Sequence, residues 1–289
     1  MDLPYGRYGY GVEADIQKGF CDHMDHDWLL QMLGLRIDDR AFLGLIRKWL
    51  KAGILETDGR VIHPDTGVPQ GGVVSSVVAN VYLHYALDLW VEKVVKAHGR
   101  GEALMSRYAD DLVCAFRFRS AAERFYQALP KRLGKFTREV APEKTRILRV
   151  SRFHPGMTRR FTFLGVECFW KEDRQGVPRV KRRTARKTWQ RACQRSKEWI
   201  QANRHVPGKA FFSGLNARVR GHYNYYGVHG NSNALHRVFD WAMTCAFKGL
   251  NRRGGKRRSF SWQRFTRLLE AVPIERPRMT ELSRRRGYA

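Results

Sequence analysis

Apolar and polar residues alternate over Tyr10-Gly11-Val12-Glu13-Ala14-Asp15-Ile16, the two-residue period of a half-buried strand. The period then changes, since Leu29, Leu30, Met32 and Leu33 recur at helical spacing. A second helix is predicted over roughly 38–52, ending near Gly53, and a turn-rich stretch to Pro69 leads into a long apolar helix from about Val73 to Lys96. Two β-rich runs in Ala103–Phe118 flank Tyr108-Ala109-Asp110-Asp111, which predicts a hairpin with acids at its tip. Ser120–Lys135 is again helical, and Phe161–Phe169 reads as a strand pair or hairpin. From Lys181 onward apolar residues recur at three and four with basic residues between them, as in Val219, Tyr223, Tyr226 and in Val238, Trp241, Cys245. That second half predicts three or four basic helices, with the boundary in the stretch around Arg174–Arg183.

With 289 residues, 43% of them hydrophobic, the chain can form one or two packed domains. No stretch approaches the ~20 apolar residues of a spanning helix, and Met1-Asp2-Leu3-Pro4 lacks the parts of a secretory signal, so a cytoplasmic protein without a membrane is expected. The five cysteines are scattered and form no C-x-x-C, which predicts free thiols rather than a disulfide frame or a zinc site. Charge divides the chain. Residues 1–150 carry 22 basic and 19 acidic side chains, net +3, while residues 151–289 carry 32 and 8, net +24. A polyanionic partner follows, and charge alone fits either a catalytic body joined to a phosphate-binding one or a ribosomal-type RNA-binding protein.

The carboxylates of the first half separate these readings. Asp110 and Asp111 stand side by side before the apolar run Leu112-Val113-Cys114-Ala115-Phe116, and acids inside a buried hairpin are costly unless a cation neutralises them. Asp15 closes another β-rich run 95 positions earlier, where a sheet could place it beside the hairpin. Three such oxygen ligands can hold two Mg²⁺ ions about 3.5–4 Å apart and carry out nucleotidyl transfer. Pro69-Gln70-Gly71-Gly72 precedes a helix, and its glycine pair would let the backbone approach a ligand.

Taken in order, Glu13-Ala14-Asp15-Ile16, Gly67-Val68-Pro69-Gln70-Gly71-Gly72 with Ser75, Ala79-Asn80-Val81-Tyr82-Leu83, Tyr108-Ala109-Asp110-Asp111 and Phe163-Leu164-Gly165 resemble the bacterial group II intron reverse transcriptases, from about residue 10 to about 270. The segment Leu215–Gly227 is similar to the maturase region of the same proteins. The resemblance implies an α+β fold: a right-hand reverse transcriptase palm over residues 1–172, then an all-helical basic thumb or maturase domain over 173–289. It implies an RNA-directed DNA polymerase with a splicing role, which uses two Mg²⁺ ions held by Asp15, Asp110 and Asp111. Phe20, Gln70, Gly71, Gly72 and Tyr108 would contact the incoming deoxynucleotide and template. Arg218, Arg220, Tyr223, Tyr225 and Tyr226 would bind the intron RNA, by phosphate contacts and by stacking on unpaired bases. The implied partners are group II intron RNA, a DNA primer or target and dNTPs. Only 14 residues precede Asp15, whereas the family carries a fingers region there, so an N-terminally truncated form is expected. A rival expectation is an RNA-binding maturase remnant without polymerase activity.

Overall fold

The computed structural model describes residues 8–16, 24–52, 54–55, 61–62, 66–68, 74–153, 159–252 and 261–281. The chain divides into two compact units, Met1–Leu164 with Trp170–Arg179, and Gly165–Phe169 with Val180–Ala289. Helices and strands are mixed in the α+β manner. Among the described residues no helix is long and apolar enough to cross a membrane.

In the first unit, β1 (Tyr10–Asp15) is followed by α1 (His26–Gly34), α2 (Arg40–Leu50) and the short antiparallel pair β2 (Ile54–Leu55) and β3 (Val61–Ile62). Asp25 and Asp39 start the two helices by accepting the amides of Trp28 and Phe42 at 2.9 and 3.0 Å. Next, α3 (Ser75–Leu83) runs through two π-helical turns, His84–Asp88 and Val91–Val95, into α4 (Lys96–His98). The hairpin of β4 (Ala103–Tyr108) and β5 (Asp111–Phe116), then α5 (Arg119–Gly134), a 3-10 turn (Pro142–Lys144), β6 (Arg146–Arg149) and β7 (Arg160–Phe163) follow. The strands β8 (Val166–Glu172) and β9 (Pro178–Thr184) carry the chain onward, β7 and β8 being joined at Leu164-Gly165, both with positive φ.

The sheet has the order β4-β5-β1-β6, with β1 antiparallel to β5 and β6. Its alternation gives two unlike faces. Val12 and Ala14 of β1, Ile16 just after it, and Leu112, Cys114 and Phe116 of β5 are buried in one core with Tyr82, Leu87, Phe125 and Leu129. Glu13, Asp15 and Asp111 fall on the opposite face, where Asp111 is exposed. The acids therefore do not sit inside a buried hairpin, as the apolar flanks had suggested; those flanks are the core half of a strand whose other half is open.

The long helix expected from Val73 to Lys96 is not uniform. Each π-helical turn takes in one residue more than an α-turn and re-aims the side chains around it. The carbonyls of Tyr85 and Ala86, in the first of them, accept Arg132 of α5 at 3.2 and 2.7 Å.

The second unit holds four helices among the described residues: α6 (Arg186–Asn203), α7 (Gly208–Tyr226), α8 (Ser232–Asn251) and α9 (Trp262–Ala271). Phe211, Phe212, Leu215, Tyr223, Leu235, Ala242 and Phe265 form its core. Asn231, almost fully buried, exchanges bonds with Thr184 and donates to the Tyr226 carbonyl, all at 2.8 Å, which satisfies its amide inside an apolar setting.

Candidate active site

Antiparallel register brings Asp15 to Asp111. The two are direct partners across β1 and β5, so their side chains leave the same face of the sheet. The Ile16 amide donates to the Asp110 carbonyl at 3.2 Å, which ties the end of the inner strand to the hairpin tip. Tyr108 pairs with Asp111 across the hairpin, leaving Ala109 and Asp110 as a two-residue turn. Ala109 holds φ +52°, a left-handed conformation that an alanine adopts at a cost of ~1–2 kcal/mol.

Two neighbouring groups define the electrostatics. Glu13 shares the acidic face but is engaged by the Arg146 guanidinium at 2.8 Å and by the Thr162 amide at 3.2 Å. Lys144, at the end of the 3-10 turn, forms an ion pair and hydrogen bond with Asp15. The turn is held there because the Ala141 amide donates to the Asp15 carbonyl at 2.9 Å. Burial, then the charges of Asp15 and Asp110, push the Asp111 carboxyl above the ordinary carboxylate range, with Lys144 opposing them. The hydrogen bond to the Asp15 carboxylate in turn raises the Lys144 ammonium above its usual value.

Carboxylate oxygens are the hard donors that a small dication takes, and the repulsion on Asp111 is what such a cation would relieve. The donor set fits. As the side chains stand, Lys144 answers Asp15, and no three His, Cys, Asp or Glu side chains among the described residues are grouped to hold a metal ion.

A carboxyl held above its unfolded value contributes stability that is complete below that value and lost as pH rises through the folded one. Ionised Asp111 therefore costs stability at neutral pH. Asp111→Asn is expected to raise the unfolding midpoint at pH 7 in EDTA by ~1–2 °C, small because the group is exposed and screened. The gain should vanish as pH falls through the carboxylate range, and calorimetry across pH checks it.

The other sequence-read positions divide. Phe20, Gln70, Gly71 and Gly72 lie outside the described residues. Tyr108 is 66% exposed beside Asp111. On α7, helical period separates the tyrosines: Tyr225 is 56% exposed and Tyr226 half-buried, whereas Tyr223 is 0% exposed. Tyr223 is thus corrected from an RNA contact to a core residue. It belongs to the same buried core as Leu215 and Phe239, and burial raises its hydroxyl pKa. Arg218 is exposed, its guanidinium 4.9 Å above the Trp199 ring, and Arg220 is exposed but pairs with Glu275 at 2.7 Å. Lys144 was missed from sequence. It lies 129 positions from Asp15, in no periodic pattern that marks it.

Residues 4–168 match the reverse transcriptase (RNA-dependent DNA polymerase) family. The group II intron-encoded protein LtrA of Lactococcus lactis subsp. cremoris is 42% identical over 87 residues, 30% of this chain and 14% of that protein. An uncharacterized 91 kDa protein in the cob intron of Schizosaccharomyces pombe is 43% identical over 83 residues, 29% of this chain and 10% of that protein. Protein YkfC of Escherichia coli K12 is 28% identical over 196 residues, 58% of this chain and 49% of that protein. These matches therefore span between a tenth and a half of the relatives' own length. Among solved structures, apo telomerase from Candida tropicalis superposes with a TM-score of 0.51 at 14% identity, over 92% of this chain and 45% of that one, a likeness of fold alone.

Proposed function

The chain belongs to the reverse transcriptase (RNA-dependent DNA polymerase) family, and from that premise we propose that it extends a DNA primer on an RNA template and binds group II intron RNA through its basic helices. The observation that carries the polymerase reading is the register that sets Asp15 opposite Asp111 and the Ile16 amide on the Asp110 carbonyl. In this reading Asp15, Asp110 and Asp111 would hold two Mg²⁺ ions, whose chemistry would be to activate the primer 3′ hydroxyl and to neutralise charge on the leaving pyrophosphate. The hydroxyl oxygen, its proton lost to water, would bond to the α-phosphorus as the bond from that phosphorus to the α,β-bridging oxygen breaks and pyrophosphate leaves.

The protein's own part is placement. Pairing with β5 on one side and the Ala141 amide on the other fix the backbone of Asp15, and the Ile16 amide ties Asp110 to the same strand end. Lys144 pairs with Asp15 across the edge of the site. Tyr108, exposed at the tip, offers a ring to the template or nucleotide, and by resemblance Phe20, Gln70, Gly71 and Gly72 would contact the same partners. Arg218, Arg220, Tyr225 and the edge of Tyr226 supply cations and aromatic faces for RNA, Arg220 exchanging Glu275 for a phosphate.

Primer extension tests this: the 289-residue chain with Mg²⁺, dNTPs, an RNA template and an annealed DNA primer should lengthen the primer by template-directed residues. A chain that binds the same RNA tightly and extends nothing, at any Mg²⁺ concentration, would replace the polymerase reading by RNA binding alone.

A further inference from the structure

Arg107, three residues ahead of Asp110, commits all three guanidinium nitrogens to the hairpin tip and the helix behind it. Nε and Nη2 donate to the two carboxylate oxygens of Asp88, each at 2.7 Å. Nη1 donates to Asn80 Oδ1 at 3.0 Å and to the Ala109 carbonyl at 3.1 Å. The pair is largely withdrawn from solvent, with the Arg107 and Asp88 side chains 10% and 25% exposed. Asp88 closes the first π-helical turn, and its other neighbour is His84, whose Nδ1 lies 3.7 Å from the same carboxylate.

A bidentate pair between Arg107 and Asp88 would by itself staple helix to strand. The bond to the Ala109 carbonyl does something else. It reaches the one residue of the turn that holds a left-handed φ, and Asp110 is the next residue along. Alanine has no intrinsic preference for that conformation, so an outside restraint there selects the path of the turn.

We infer that Arg107 is a positioning residue for the acidic site: by bridging Asp88 and Asn80 to the Ala109 carbonyl, it fixes the turn from which Asp110 projects and so the spacing at which Asp110 and Asp15 take a dication. This rests on the metal-site reading above. Lysine would keep the charge and one oxygen of Asp88, but a single ammonium cannot span the fork to the turn.

Mn²⁺ titration followed by electron paramagnetic resonance tests it on the full chain, with thermal unfolding in EDTA recorded for each variant. Arg107→Lys is expected to weaken Mn²⁺ binding by ~10-fold or more, the scale on which residues that orient a ligand act. Asn80→Ala, at an exposed helix position, should weaken it several-fold with an unchanged unfolding midpoint. A folded Arg107→Lys chain with wild-type Mn²⁺ affinity would overturn the inference. If Arg107→Lys does not fold, wild-type affinity in Asn80→Ala overturns it instead. Asp110→Asn separates the two levels: loss of the tight site supports the metal-site reading whatever Arg107 does, and retention of it removes that reading and this one together.

Discussion

Asp110→Asn should lower RNA-templated primer extension by about 10³-fold, equivalent to ~4 kcal/mol of transition-state stabilisation, while leaving RNA affinity within twofold of the natural chain. The substitution keeps the size and the hydrogen-bonding shape of the side chain but removes the charge that a dication needs. Asp110 sits in a two-residue turn, partly exposed, with its carbonyl bonded to the Ile16 amide through the backbone alone, so the fold has no stake in the carboxylate. Rates from single-turnover extension, read beside an equilibrium RNA-binding curve, check both halves of the statement. Equal extension rates for the two chains would mean that the carboxylates are not the site of chemistry.

RNA affinity should fall by ~10³-fold or more between 50 and 200 mM salt, as expected when several phosphates displace condensed counterions. The net +24 of residues 151–289 is the source of this dependence. Arg218→Gln should reduce the slope of log affinity against log salt by about one, because it removes one phosphate contact. Tyr225→Ala should lower affinity with the slope unchanged, since stacking releases no ions. Filter binding over a salt series measures all three, and a fall below tenfold for the natural chain would count against a phosphate-dominated surface.

Much of the first unit was legible because two short-range signals agree there. The period-two run ending at Asp15 and the Tyr108–Asp111 turn each mark a strand end, and both strands formed where the alternation places them. Sheet order was not legible: nothing in either run says that β1 lies between β5 and β6. The same alternation held a detail that was read too simply. Leu112, Cys114 and Phe116 are core, yet Asp111 begins the open face, so apolar neighbours did not mean a buried acid. On α7, Tyr223 and Tyr225 are two residues apart and were grouped together, although a helix turns about 200° between them and sends one inward and the other out. Lys144 and Arg107 escaped for another reason. Their roles depend on partners 129 and 19 positions away, and single basic residues carry no mark of such a partner in a chain with 54 of them.

The π-helical turn at His84–Asp88 changes what a deletion does to this stretch. Removing one residue there would let the segment relax into a regular α-helix, a local gain in backbone geometry. The wider turn has already absorbed the extra residue, so what lies beyond would keep nearly its rotation relative to Ser75–Leu83, whereas one residue lost from a regular α-helix rotates everything past it by about 100°. The cost would fall on Arg132, whose acceptors at Tyr85 and Ala86 would return to the helix's own ladder. A descendant of this chain one residue shorter in this interval should therefore fold, with α5 less firmly tied to it.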